Sequence, residues 1–126
     1  MNKKVILIGL CIVLVLFSIY TIFSPKGNDD LKNITVVVNH LNSPSKTFEV
    51  QTEEEYLRGA LESQGLISGS ESEYGLWVEV VDGEKADEAQ FEWWGYDVNG
   101  QFATYGVDEQ VVTDGDVYEF TLNVGY

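Results

Sequence analysis

Phe91-Glu92-Trp93-Trp94-Gly95-Tyr96-Asp97-Val98-Asn99-Gly100 is the stretch from which the fold can be read. It ends in Asn-Gly, and that pair between two apolar runs favours a type I′ turn, whose two central residues both need φ > 0. An aromatic strand, a tight turn and a return strand over residues 101–105 are therefore expected. Side chains alternate along a strand, so Trp94, Tyr96 and Val98 share one face, and Phe91, Trp93, Gly95 and Asp97 the other. The first face can anchor a core. The second carries a tryptophan in need of a partner, and it is the first place to look for a ligand.

The rest of the chain supplies that core. Residues 117–124 alternate cleanly, which sends Tyr118, Phe120, Leu122 and Val124 inward and Glu119, Thr121 and Asn123 to water. Asp114-Gly115-Asp116 is the turn before this strand, and residues 106–113 are a loop. Residues 34–40 are β-branched and bounded by turn residues, and residues 46–50 alternate, so the two form an opening hairpin around Pro44. Residues 74–81 make a further strand, turned by Asp82-Gly83-Glu84, and residues 68–73 read as a polar loop.

One helix is expected between these strands. Thr52-Glu53-Glu54-Glu55 has the form of a capping box, in which the Thr52 hydroxyl accepts from the Glu55 amide and the Glu55 carboxylate reaches back. The helix should run to about Ser63, with Gly65 as its left-handed cap and Leu57, Ala60 and Leu61 on its buried face. The glutamate run thus has a structural explanation. The resulting order, β-β-α-β-β-β-β, is an α+β arrangement with one helix on a mixed or mostly antiparallel sheet, the outline of a β-grasp domain.

Composition narrows the partners. The 126 residues suit one domain, and they carry 21 acidic residues against 7 Lys plus Arg. Lys3 and Lys4 precede an uncharged apolar segment, residues 5–23, which leaves five bases for the rest of the chain. That balance argues against nucleic acid and anionic lipid headgroups, which need Lys and Arg. A helix over residues 5–23 would span roughly 28 Å, enough to cross a bilayer. It is read as an uncleaved N-terminal anchor, with a cleaved signal peptide as the alternative. Lysines at its start place the rest of the chain outside the cell membrane in both cases. Residues 24–32 then form a linker, and the domain occupies residues 33–126.

The chemistry of catalysis is not visible. Cys11 lies inside the apolar segment, so no disulfide or thiol site is available to the domain. His40 is the single histidine and reads as an exposed turn residue. Asp97-Val98-Asn99-Gly100 lacks the spacing of a calcium loop, and no glycine pattern cradles phosphate. No metal, no resident cofactor and no enzymatic activity are therefore expected.

The run Trp94-x-Tyr96-x-Val98-Asn99-Gly100, followed by Asp114-Gly115-Asp116 before a terminal strand, resembles a family of bacterial extracytoplasmic domains of largely unknown function, the DUF4430 type. That family is related to the C-terminal domain of transcobalamin and intrinsic factor. The resemblance implies a β-grasp fold of the soluble-ligand-binding kind, and it makes cobalamin or another corrinoid a possible ligand. Trp93, Tyr105, Tyr74 and Trp77 are the candidate ligand-binding residues, an aromatic shelf suited to a flat ligand. The competing expectation places Trp77, Trp94 and Tyr96 in the core. Two functions follow. One is capture of a small molecule, possibly a corrinoid, or service to nutrient uptake. The other is an interaction module that docks on a transporter or another envelope protein.

Overall fold

The opening hairpin pairs β1 (Lys32–Asn39) antiparallel with β2 (Lys46–Thr52), from Lys32↔Thr52 to Val38↔Lys46. On its other side β1 pairs in parallel with the terminal strand, β8 (Val117–Val124), from Thr35↔Val117 to Asn39↔Thr121. The aromatic strand, β6 (Glu92–Val98), lies antiparallel on β8, and β7 (Gln101–Phe102) closes the edge. The computed structural model describes residues 30–125. The expected anchor at residues 5–23 and residues 24–29 of the linker lie outside that range. No helix among the described residues is long and apolar enough to cross a membrane.

The five-stranded sheet, in the order β2-β1-β8-β6-β7, is accompanied by a second sheet of β3 (Ile67–Ser72), β4 (Gly75–Val81) and β5 (Glu84–Lys85). Two of these strands were not expected. The polar loop at residues 68–73 is mostly β3, an edge strand in which only Ile67 is buried, so it carries no alternating apolar signal. The register shifts between Ser68 and Gly69, and this bulge lets Leu76 and Val78 on one side of it and Val81 on the other all pack on the core. A 3-10 helix (Glu88–Gln90) leads into β6 through Phe91 at φ 59°, so Phe91 caps that turn and does not share the outer face of β6.

The core lies between the sheets. Ile34, Val36 and Val38 of β1 meet Tyr118, Phe120 and Leu122 of β8 and Trp94 of β6, all buried. Tyr96 stacks on Phe120 with ring centroids 5.1 Å apart. Val124, expected inward, is exposed at the end of its strand. The return strand is also shorter than expected. It ends at Phe102, because beyond it Ala103 makes one more bond to Tyr96 and the chain leaves for the loop that meets the helix.

That helix, α1 (Leu57–Glu62), is only six residues long, too short to persist alone in water. Its Leu57, Ala60 and Leu61 are fully buried. Burying each leucine contributes about 1.5–3 kcal/mol. The expected capping box is not what starts it. The Thr52 hydroxyl accepts from Glu54 N–H at 3.0 Å, and α1 begins only at Leu57. Its free amides are taken by a distant loop: Leu57 N–H donates to Gln110 O and Arg58 N–H to Val107 O, each at 2.9 Å. Val112 N–H returns a bond to Glu55 O at 2.8 Å. The exit matches the expectation, with Gly65 at φ 68° and Leu66 N–H donating to Leu61 O.

The loop is tied in turn by Asp108, which accepts from Leu76 N–H at 2.8 Å and from Arg58 at 2.7 Å. Burial works against its charge, but these donors outweigh it and hold the carboxyl below its usual range. Because backbone carbonyls cap the helix, Glu55→Ala should change unfolding free energy by less than about 0.5 kcal/mol. Asp108→Ala, which frees Arg58 and the Leu76 amide, should cost about 1–3 kcal/mol. Urea denaturation of the two variants checks both.

Candidate functional site

The residues of the Trp-x-Tyr-x-Val-Asn-Gly motif build the fold. Trp94 is buried, and its indole N–H donates to Glu84 O at 3.0 Å. Asn99 and Gly100 turn the β6–β7 hairpin with φ of 51° and 85°. The Asn99 side chain then locks onto the start of β8, accepting from Val117 N–H at 2.8 Å and donating to Asp116 at 2.9 Å. Asp116 also accepts from the Tyr118 hydroxyl at 2.7 Å. Burial, reinforced by this carboxylate, pushes the Tyr118 phenol well above its ordinary value. Burial alone pushes Tyr96 up to about 12. Asp114 accepts from Asn33 N–H at 2.7 Å, and Gly115 N–H donates to Asn33 O at 2.8 Å. The Asp-Gly-Asp turn therefore seats β8 beside β1.

The four candidate ligand-binding residues divide between two sheets. Trp93 lies on the outer face of the five-stranded sheet, with its indole N–H donating to Gly125 O at 2.7 Å. Tyr105 is 56% exposed in the loop after β7, where its carbonyl accepts the Tyr96 hydroxyl. Tyr74, 84% exposed, is in the turn between β3 and β4. Trp77 is 55% exposed on β4, so the expectation that it belongs to the core is wrong. Its neighbours Leu76 and Val78 take the core-facing positions, and alternation turns Trp77 outward.

The residues gathered around Trp93 are others. A side chain on Gly95 would put its Cβ 2.7 Å from the Trp93 ring, 3.3 Å from Asn123 Nδ2 and 3.5 Å from the Phe102 ring. The missing side chain is what lets the indole lie across the strand, with Phe102 leaning in from β7. Phe102 is exposed. Directly opposite one another on the same face stand Asp97 and Glu119, and Asp97 also pairs with Phe102 across β7. Glu119 accepts from Asn39 Nδ2 at 2.8 Å, and the same amide reaches Thr121 at 3.0 Å. The result is a flat face of two rings over a glycine floor, bordered by carboxylates, amides and hydroxyls. Sequence reading found Trp93 but not Phe102, whose position depends on how the short hairpin closes.

His40 was also misjudged. Its side chain is 6% exposed and lies between two carboxylates, Nε2 at 2.9 Å from Asp82 and Nδ1 at 2.7 Å from Glu84. Lys46 adds a 3.2 Å contact to Asp82, and the imidazole meets Trp94 edge-on at 6.1 Å. The turn after β4 folds back over the end of β1, which no local signal at residue 40 reveals. Burial alone would lower the His40 pKa, but the hydrogen bonds from Asp82 and Glu84, with their charges, outweigh it and raise the value. Both ring nitrogens are thereby occupied on opposite sides. Among the described residues no group of three or more His, Cys, Asp or Glu is arranged to hold a metal ion.

Comparison with known proteins places this architecture. The family model for a domain of unknown function, DUF4430, matches residues 54–123. The crystal structure of a candidate metal-binding protein from Ruminococcus gnavus ATCC 29149 is 40% identical, with a TM-score of 0.73, over 75% of this chain and 99% of that one. Haptocorrin, in a crystal structure of its complex with Cbi, is 15% identical with a TM-score of 0.65, over 76% of this chain and 26% of that one. This second likeness is one of fold. No curated protein matches the chain.

The buried histidine makes stability depend on pH in a defined direction. A raised folded value means that the folded state holds the proton more tightly than the unfolded chain, where histidine titrates near about 6.5. The stabilisation is complete below that value and is lost as pH rises through the folded one. Urea midpoints should therefore fall between about pH 6 and pH 9, and His40→Gln should flatten that limb.

Proposed function

This chain belongs to the DUF4430 family of domains of unknown function, and on that footing we propose that it is an extracytoplasmic, membrane-anchored binding domain of β-grasp type that captures a small molecule without transforming it. The observation that carries this reading is the Trp93–Phe102 face over Gly95. An indole laid flat on a sheet offers a large apolar surface at low entropic cost, beside amides and carboxylates that can orient a ligand. The shared fold with haptocorrin, solved with Cbi, supports a corrinoid as one ligand to test. Metal binding, the property for which the Ruminococcus gnavus relative is named, has less support, because the His40 nitrogens already face Asp82 and Glu84.

Residues 5–23 would hold the domain at the outer membrane surface, where captured ligand could pass to an uptake system. A second reading, docking on a transporter or another envelope protein, is favoured by the exposed pair Tyr74 and Trp77 on the other sheet.

The test is calorimetric melting of the full-length chain in maltoside micelles with cobalamin, cobinamide and a panel of other vitamins and glycans. A ligand at 100 times its dissociation constant should stabilise by about 2.7 kcal/mol, several degrees in melting temperature. The expected result is a shift that Trp93→Ala abolishes and Trp77→Ala preserves. No shift with any of these compounds would overturn capture and leave the docking reading.

A further inference from the structure

We propose that the outer face of the five-stranded sheet selects an organic cation, a quaternary or fully substituted ammonium group seated over Gly95 between Trp93 and Phe102. The inference rests on the reading of this face as a small-molecule site and adds the charge of the ligand to it.

The rings and the charges point the same way. Trp93 and Phe102 both approach one point above Gly95, within 2.7 and 3.5 Å of it, and that point is otherwise bordered by Asn123. Beside it, Asp97 and Glu119 face each other across β6 and β8. Like charges directly opposite in a sheet are destabilising. Glu119 is partly offset by the Asn39 amide, whereas Asp97 has no hydrogen-bond or ion-pair partner among the described residues. The nearby bases are committed elsewhere, Lys46 to Asp82, Arg58 to Glu62, Glu71 and Asp108, and Lys32 to Glu54 O. The face is thus negative in a chain whose net charge is already −14.

A cation complements it, and the rings decide which kind. The face of an indole or phenyl ring attracts a cation, most strongly one that sheds little water on contact. A substituted ammonium carries its charge under an apolar shell and can sit on rings with a carboxylate at its side. A small metal ion would have to exchange a tight hydration shell for one exposed carboxylate and hydrocarbon. The same face offers no base to an anion.

Choline and its neutral isostere, 3,3-dimethyl-1-butanol, separate the contribution of charge from that of shape. The full-length chain in maltoside micelles has three indole N–H signals, and Trp93→Phe identifies the one from Trp93. Choline should move that signal and leave those of Trp77 and Trp94 in place, and the isostere should bind more weakly by roughly two- to fivefold. Asp97→Asn, which removes the like-charge pair without changing shape, should weaken choline by a similar factor while leaving the melting temperature level or higher. Gly95→Ala, which pushes the indole off the strand, should abolish the response. Equal movement by both compounds would overturn selection by charge and leave the small-molecule site standing. Movement by calcium chloride but not by choline would overturn the organic cation in favour of a metal. Silence with choline would overturn the inference even if a compound from the melting panel moves the Trp93 signal. Silence with that panel as well would remove the site itself.

Discussion

The parallel pairing of β1 with β8 is the constraint on which everything else depends. It puts the first and last strands of the domain side by side at the centre of the sheet, so all the intervening chain must cross over and be packed. Parallel neighbours cannot be joined by a tight turn. Here the crossing segment contains α1, the second sheet and the aromatic hairpin. Its return is seated by the Asp114-Gly115-Asp116 turn on Asn33 and by Asn99 on Asp116 and Val117. The motif residues are therefore joints of the frame, and the face that can meet a ligand is left to less distinctive positions.

How much of this was legible in the sequence follows from which forces are local. The aromatic hairpin could be read because Asn-Gly dictates its own backbone, and α1 because Leu57, Ala60 and Leu61 recur at helical spacing. The inward set of β8 was correct through Leu122 and failed only at Val124, where the strand runs out. What could not be read was non-local. Strand β3 is held by pairing with β4 and by side-chain ties such as Ser70 to Glu79 and Arg58 to Glu71, none of which needs an apolar pattern. The glutamates after Thr52 matched a capping box, but the carbonyls of Val107 and Gln110 supplied the bonds instead. His40 stood beside turn residues in sequence and between two carboxylates in space.

The candidate site was half legible for the same reason. Alternation placed Trp93 opposite Trp94 from the outset. That Phe102 and Asn123 would converge on the empty place at Gly95 required the register of three strands. Trp77 and Tyr74 are as aromatic as Trp93, but they belong to the other sheet, and a shelf assembled from all four has no single surface to stand on.

The helix whose amides are capped by residues 107 and 110 has a consequence in time. A chain made from its N-terminus reaches α1 long before the carbonyls that complete it exist, and it reaches β1 long before β8. Six residues cannot hold a helix meanwhile. The domain thus has no stable first half: hairpin, helix and sheet wait on the last ten or so residues and then form together, the mark of a high-contact-order fold. Loss of a few residues from the C-terminal end would remove the central strand, and what remained would be an unfolded chain.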